Sequence, residues 1–209
     1  MITPAERATP LLAVAGPTAV GKSAAVIALA GLLERDGANA VLISADSRQV
    51  FRGFDIGTDK LPAQVLAARP HAGIDVAEAD QPFTLYDWLA VARDAAAADA
   101  VANASPRRVL RALEIAQLGG DSMATEEEPW SGPSAYVLLD EPDLAAHRTK
   151  IAERAAAQFA GGLVAEAKAL AARLPGGTPA LSGIGYREAL QYLAGEISEE
   201  KAVTHSSGR

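Results

Sequence analysis

The sequence predicts an α/β fold, with a parallel sheet flanked by helices and a small helical appendage. Short apolar segments of strand length alternate along the chain with alanine- and leucine-rich segments of high helix propensity, a pattern typical of parallel sheets. The chain has 209 residues, of which 49% are hydrophobic and 22% are charged. This length and composition suit one domain with a sizeable core, so we expect residues 1–209 to form a single domain.

The first half of the chain contains three predicted strands and two predicted helices. The strands are short apolar runs, too apolar for the surface, and the first of them ends in a glycine-rich turn. Thr84 is well placed to cap the second helix. The predicted strands cover Leu11–Ala15, 41–43 and 73–76, and the predicted helices cover Lys22–Arg35 and 85–99.

The second half is predicted to begin with a basic helix. Ser105 and Pro106 have the preferences of an N-cap and a first helical residue, and glycines stop the helix at Gly119. Three arginines lie within it: Arg107, Arg108 and Arg111. Residues 121–134 contain three glutamates, two prolines and a glycine, which predicts a linker or loop. A strand over 136–139 follows, and then two helices that are separated at Gly161-Gly162 and end before Pro175.

The composition excludes several classes of chemistry. The chain has no cysteine, which excludes disulfides and thiol catalysis, and its three scattered histidines do not suit a histidine-rich metal centre. The net charge of -7 gives no general attraction to nucleic acid, so RNA contact requires a local basic patch. Because there is no apolar run of membrane-spanning length and no signal peptide in residues 1–10, we expect a cytoplasmic protein without a membrane partner. We also expect a monomer.

One glycine-rich segment, the phosphate loop, matches a phosphate-binding pattern. It reads Gly16-Pro17-Thr18-Ala19-Val20-Gly21-Lys22-Ser23 and fits G-x-x-x-x-G-K-[ST] between a predicted strand and a predicted helix. In such a loop the backbone N–H groups surround an anion, the lysine adds positive charge and the serine hydroxyl ligates Mg²⁺. A chance glycine-rich turn is the alternative, and the flanking pattern favours the anion site. We therefore predict a P-loop NTPase-like sheet, with the identity of the polyphosphate left open.

A polar string follows the second predicted strand. Asp46 stands at the carboxyl end of this strand, where ligands of open α/β sheets bind. Its carboxylate could hold Mg²⁺ through water or act as a general base, or it could cap the following turn, and the residues alone do not decide between these roles. A second polar cluster contains Asp55, Thr58 and Lys60, which we expect to be turn and surface residues.

Four ordered motifs together resemble the tRNA dimethylallyltransferase family. They are the phosphate loop, Asp46-Ser47-Arg48-Gln49-Val50-Phe51 with the following 53–60 segment, Pro106-Arg107-Arg108-Val109-Leu110-Arg111-Ala112-Leu113-Glu114, and Gly183-Ile184-Gly185-Tyr186-Arg187-Glu188. The phosphate loop alone occurs in many families, whereas the full ordered set is specific. The resemblance covers most of the chain.

The resemblance implies a substrate and a role for several residues. The phosphate loop would hold the diphosphate of dimethylallyl diphosphate, with Mg²⁺ at Ser23, and Asp46 would accept a proton from the adenine N6 amine. The adenine would be the one next to the anticodon on its 3′ side. An exocyclic amine is a weak nucleophile, so a nearby base and a stabilised leaving group both favour the attack. The residues implied to contact tRNA are Asp46, Ser47, Arg48, Gln49, Arg107, Arg108 and Arg111.

The chain departs from the family pattern in its middle and at its end. In the family, the helix that corresponds to 85–99 is followed by a strand, a Gly-Gly-Thr-Gly-Leu-Tyr segment and a helical insertion that grips the anticodon stem. Here the chain passes from Asp99 almost directly to Pro106, and the family's basic C-terminal segment is missing. We expect the sheet to lack that strand and a threonine near the reacting groups. We also expect the chain to be incomplete relative to the functional protein, and to bind diphosphate but transfer the prenyl group slowly or not at all.

Two other functions compete with prenyl transfer. A small-molecule kinase would use the same loop for ATP and the three arginines as a lid, but it leaves the string after Asp46 without a role. A non-catalytic nucleotide- or RNA-binding remnant is the other alternative. The arginines could equally be a solvated helix face, although Arg107 and Arg111 are four residues apart and would share one side of a helix. We expect Tyr186 and Arg187 to be packing and surface residues outside the site.

Overall fold

The structure is a computed structural model that describes residues 10–102, 108–112 and 133–208. Within these residues a single parallel sheet is formed by β1 (Leu11–Ala15), β2 (Ala40–Ser44), β3 (His71–Ala72), β4 (Arg108–Ala112) and β5 (Ser134–Leu138). The strands lie in the order β3-β2-β4-β1-β5. The helices are α1 (Lys22–Arg35), α2 (Ala63–Ala68), α3 (Leu85–Ala102), α4 (Leu144–Ala160), α5 (Leu163–Arg173), a 3₁₀ turn (Pro179–Ser182), α6 (Tyr186–Leu193) and α7 (Glu199–Ser207).

Most elements predicted in the first half are confirmed. β1 and α1 have the predicted bounds, and β2 is one residue longer at each end. α3 starts at the predicted residue because Thr84 and Asp87 form a reciprocal cap. Asp87 Oδ2 accepts from the backbone N–H of Thr84 at 2.7 Å, and Thr84 Oγ1 accepts from the N–H of Asp87 at 3.4 Å.

The third strand lies before its predicted position. β3 covers His71–Ala72, so the prediction of a strand over 73–76 is wrong. Gly73 has φ 83° and Asp75 has φ 55°, and a backbone with positive φ does not continue an extended strand. A Cβ atom at Gly73 would lie 2.5 Å from the carbonyl oxygen of Ser44, so the chain needs glycine where it turns beside β2.

The basic helix predicted after Ser105 is also wrong, because its central residues form β4. β4 lies between β1 and β2, with Val109 paired to Leu11 on one side and to Val41 on the other. The expectation that the sheet lacks a strand after α3 is therefore wrong. Local propensity favoured a helix, but β1 and β2 would each leave an edge of unpaired N–H and C=O groups, and pairing with both edges outweighs propensity.

The remaining predictions for the second half are largely confirmed. β5 begins and ends slightly before the predicted 136–139, and α4 and α5 are separated at Gly161-Gly162 as predicted. Arg107, the end of the predicted basic helix and residues 121–132 of the predicted linker lie outside the described residues.

Two groups of buried side chains pack around the segments that form the site. Val14 and Leu42 of the sheet pack against Val26 of α1, which fixes the strand-loop-helix unit at the start of the chain. Phe54 is completely buried among the C-terminal helices, where Tyr186 contacts it. The predicted helical appendage is therefore packed on the segment that follows the string at Asp46. None of the helices in the described ranges is both long enough and apolar enough to span a membrane.

Candidate functional site

The phosphate loop joins β1 to α1 and has the sharp turn that the pattern predicts. Gly21 has φ 94° immediately before α1, a conformation that favours glycine. A Cβ atom at Gly16 would lie only 2.4 Å from the carbonyl oxygen of Leu139, just after β5. Because this neighbour is backbone, it cannot move aside as a flexible side chain could. The first glycine of the pattern is therefore required by close packing against the chain after β5.

Replacing Gly16 by alanine is expected to weaken diphosphate binding by about tenfold or more, because relief of the clash moves the loop. Titration calorimetry with dimethylallyl diphosphate measures the effect. Gly176→Ala is the matched control, since nothing lies within 4 Å of the Cβ position there and Gly176 does not have a positive φ. If Gly16→Ala and the control bind dimethylallyl diphosphate with equal affinity, close packing at Gly16 does not determine the binding conformation of the loop.

Lys22 and His147 hold the loop in this conformation. The Lys22 side chain is buried, and its Nζ donates to the carbonyl oxygens of Gly16 at 3.0 Å and Pro17 at 2.8 Å. On the outer side, Nε2 of His147 lies 2.8 Å from the carbonyl oxygen of Thr18. His147 thus attaches the loop to the first turn of α4. The Lys22 ammonium group lies inside the loop.

A cleft of about 960 Å³ opens beside the phosphate loop. It is lined by part of the phosphate loop, the string 46–49, the loop 57–62, α4 and the segment 183–186. The carboxyl end of β2 and the loop after β1 therefore face the same space, as expected at the carboxyl edge of a parallel sheet. The sequence prediction that these two segments share a site is consistent with this geometry.

Asp46 both caps a turn and lines the cleft. Its Oδ1 accepts from the backbone N–H of Arg48 at 2.7 Å and of Gln49 at 3.1 Å. These two bonds fix the carboxylate at the edge of the cleft. A carboxylate has about four acceptor positions on its two oxygens, so capping a turn is compatible with accepting a proton from a substrate. The two roles left open by the sequence do not exclude each other.

The neighbours of Asp46 have contacts within the protein as well as positions in the cleft. Ser47 is exposed, whereas Arg48 donates through Nη1 to the carbonyl oxygen of Ala180 at 3.0 Å. Gln49 donates through Nε2 to the carbonyl oxygen of Thr58 at 3.0 Å. Arg48 and Gln49 therefore tie the string to the C-terminal helices and to the second polar cluster.

The predicted arginine group is not on a helix. Arg108 and Arg111 lie in β4, in the middle of the sheet, and Arg107 lies outside the described residues. Because the segment is a strand, the four-residue spacing of Arg107 and Arg111 no longer places them on one side of a helix. The helical argument for a phosphate-binding patch therefore fails.

Two cations in the cleft were missed by the sequence analysis. Lys150 and Arg154 are four residues apart on α4 and both line the cleft, to which they add positively charged groups. Arg154 lies 3.7 Å from the Asp59 carboxylate, and Lys150 forms an ion pair with Glu141. The four-residue spacing on a predicted helix was the signal that could have found them.

One residue of the second polar cluster, Lys60, is more buried than predicted. The Lys60 side chain is only 3% exposed, and its Nζ donates to Asp55 at 2.9 Å and Asp75 at 2.5 Å. Thr58 lies in a turn and Asp55 is exposed, as expected, whereas the expectation of a surface residue is wrong for Lys60. Thr58 and Lys60 both line the cleft. Tyr186, which was expected outside the site, also lines the cleft.

Comparison with known proteins agrees with this arrangement. A family model described as IPP transferase matches residues 49–100 and 90–207. The chain belongs to the IPP transferase family. It is 33% identical to the tRNA dimethylallyltransferase of Anaeromyxobacter dehalogenans strain 2CP-C, over 92% of this chain and 85% of that protein. The family resemblance stated from the motifs is confirmed.

Other relatives of this IPP transferase extend the comparison. The tRNA dimethylallyltransferase of Salinispora arenicola is 32% identical over 92% of this chain and 73% of that protein. The crystal structure of the tRNA isopentenylpyrophosphate transferase from Bacillus halodurans superposes with a TM-score of 0.71 at 24% identity, covering 95% of this chain and 82% of that one. The alignment with the Anaeromyxobacter protein spans 263 positions, more than the 209 residues of this chain, so that relative has internal residues without a counterpart here. The structural likeness confirms the predicted fold.

Proposed function

We propose that this protein transfers the dimethylallyl group of dimethylallyl diphosphate to N6 of the adenine on the 3′ side of a tRNA anticodon. The observation that carries the proposal is the shared cleft, which is lined by both the phosphate loop and the Asp46 carboxylate. The relatives named tRNA dimethylallyltransferase support the same reaction. A small-molecule kinase is not favoured, because family membership gives the string after Asp46 a role in base modification.

The proposed reaction assigns one task to each side of the cleft. The N6 nitrogen attacks the allylic carbon of the diphosphate, a C–N bond forms, and the C–O bond to the diphosphate breaks. Asp46 accepts the proton that N6 loses, and the phosphate loop with Lys22 binds the departing diphosphate. Lys150 and Arg154 of α4 add positively charged groups to the lining of the same cleft. An adenine has to leave the stack of the anticodon loop to reach this cleft.

Ser23 is the residue that would hold Mg²⁺. It is exposed in the cleft at the end of the phosphate loop, with the Asp46 carboxylate in the same cleft. In the described part of the chain no group of three or more histidine, aspartate or glutamate side chains is arranged to hold a metal. Mg²⁺ prefers phosphate oxygens and water beside one or two protein ligands, so this sparse set fits an ion that arrives with the diphosphate. When bound, it would neutralise charge on the leaving group.

The proposed contacts with tRNA are local. Ser47 is exposed beside the cleft, and Arg48 and Gln49 line it. With a net charge of -7, binding depends on these residues and on the cleft cations rather than on overall charge. Arg107, Arg108 and Arg111 stay proposed contacts from the family resemblance. We propose that the protein works as a monomer in the cytoplasm, where it would meet tRNA.

Incubation with dimethylallyl diphosphate, Mg²⁺ and an anticodon stem-loop is expected to add a dimethylallyl group to one adenine, detected by mass spectrometry of the digested RNA. Parallel reactions contain ATP instead, or a stem-loop in which that adenine is replaced by guanine. A rate below that of the Anaeromyxobacter relative is expected, because residues 108–112 contain no threonine to replace the one implied by the family pattern. Phosphorylation of a small acceptor from ATP without any prenylated RNA would contradict the proposal.

A further inference from the structure

Glu166 of α5 accepts hydrogen bonds from three consecutive backbone N–H groups. Its Oε1 lies 3.2 Å from the nitrogen of Asp55, 3.0 Å from that of Ile56 and 3.3 Å from that of Gly57. Its Oε2 lies 2.9 Å from the nitrogen of Ile56. An ionised carboxylate has about four acceptor positions on its two oxygens, so this one side chain can serve all three donors. One side chain of α5 thus determines the backbone conformation at the start of the 55–60 loop.

Tyr186 is a fourth group that donates to this carboxylate. Its hydroxyl donates to Glu166 Oε1 at 2.5 Å, and its buried ring packs edge-on against Phe54 at a centroid distance of 5.0 Å. A Cβ atom at Gly57 would lie 2.4 Å from the tyrosine ring, so the loop is in close contact with Tyr186. Burial, together with the bond to Glu166, raises the pKa of Tyr186, which keeps the hydroxyl a donor at physiological pH.

The loop that these two residues hold reaches the catalytic side of the cleft. Thr58, within the 55–60 loop, accepts from Gln49 Nε2 at 3.0 Å through its carbonyl oxygen. The backbone N–H of Gln49 in turn donates to Asp46 Oδ1 at 3.1 Å. A continuous path of hydrogen bonds and short backbone segments therefore runs from Glu166 to the proposed base.

We propose that Glu166 and Tyr186 are positioning residues, which hold the 55–60 loop so that Gln49 and Asp46 keep their places in the cleft. The inference rests on the proposed function for the reaction it affects. The conformation of the loop can be measured without that reaction. Neither side chain needs to touch the substrate, so their effect should appear in the transfer step rather than in diphosphate binding.

Two variants separate this role from general support of the fold. Glu166→Gln replaces one acceptor oxygen by an NH₂ group that faces backbone donors, and Tyr186→Phe removes only the hydroxyl while the ring still packs on Phe54. Glu196→Gln, in an exposed turn, is the control for loss of a carboxylate. The full chain is used throughout. Tyr186→Phe keeps the test informative if Glu166→Gln folds poorly.

The first measurement is hydrogen exchange of backbone amides by NMR. In Glu166→Gln the amides of residues 55–57 are expected to exchange about tenfold faster or more, and the side-chain amide signals of Gln49 are expected to shift. Tyr186→Phe is expected to change both in the same direction by a smaller factor, and Glu196→Gln to change neither. Unchanged exchange and unchanged Gln49 signals in Glu166→Gln would overturn the proposal, whether or not the protein transfers prenyl groups.

The second measurement is the single-turnover rate with saturating dimethylallyl diphosphate and stem-loop RNA. The rate is expected to fall about tenfold or more in Glu166→Gln, while the Kd for dimethylallyl diphosphate stays within about threefold. A merely structural role would lower the transfer rate and raise the Kd for dimethylallyl diphosphate by similar factors, and that result would overturn the positioning role. If the unmodified protein transfers no prenyl group, the proposed function fails. The positioning role is then tested by the amide exchange rates of residues 55–57 and the side-chain signals of Gln49 alone.

Discussion

Replacement of Lys22 by alanine is expected to lower kcat/KM for dimethylallyl diphosphate by about 10³, which corresponds to about 4 kcal/mol of transition-state stabilisation. The ammonium group lies inside the phosphate loop, bound to the carbonyl oxygens of Gly16 and Pro17. Its charge acts where the leaving diphosphate develops negative charge, so both the Kd of the diphosphate and the transfer rate should worsen. Calorimetry and single-turnover kinetics measure the two effects separately.

Lys168→Ala is the control, since this exposed lysine of α5 does not line the cleft. It should retain the affinity and rate of the unmodified protein, which shows that the effect does not come from a general loss of positive charge. Thermal unfolding of both variants checks that the fold is kept. A Lys22→Ala protein that binds and transfers normally would remove the phosphate loop from the proposed mechanism.

Replacement of Asp46 by asparagine is expected to lower the single-turnover transfer rate by about 10² or more, with diphosphate affinity unchanged. Asparagine keeps an Oδ1 that can accept from the backbone N–H groups of Arg48 and Gln49, so the turn should persist. It has no carboxylate to accept the proton from N6. The substitution therefore separates the two roles that Asp46 combines.

Asp46→Ala tests the other role. Alanine removes the turn cap as well as the carboxylate, so this variant should lose stability, by about 1 kcal/mol, in addition to activity. Chemical denaturation measures the stability difference between the two variants. If Asp46→Asn transfers at the normal rate while Asp46→Ala does not, Asp46 is a turn residue and the base is another group.

The two halves of the proposed site differ in how far the sequence reveals them. The phosphate loop is a local pattern, in which eight consecutive residues determine the turn, the helix start and the anion-binding groups. Lys150 and Arg154 face the same cleft from more than 100 positions later in the chain, and only the packing of α4 beside the loop, through His147 and Thr18, brings them there.

The segment after α3 shows that secondary structure, too, can depend on contacts that the local sequence does not reveal. Residues 108–112 have arginines, apolar residues and alanine in an order that suits a helix as well as a strand. Pairing with β1 and β2 on both sides makes them β4, because a parallel sheet gains two ladders of hydrogen bonds from a strand placed between its neighbours. The local propensity of residues 108–112 does not show that a strand position is open between β1 and β2.

The sequence by itself determined the family, the parallel α/β fold and the phosphate loop, since each depends on short patterns that adjacent residues complete. Only the tertiary structure decided that Asp46 is held by the turn it caps, that Lys60 is buried and that Tyr186 joins Glu166 against the 55–60 loop. The Asp46 cap joins residues only two and three positions apart, whereas the contact of Glu166 and Tyr186 with the 55–60 loop joins distant segments, here α5 and α6 with the chain after β2. Such contacts form because burial of Phe54 draws the C-terminal helices onto that segment, and no local pattern records that packing.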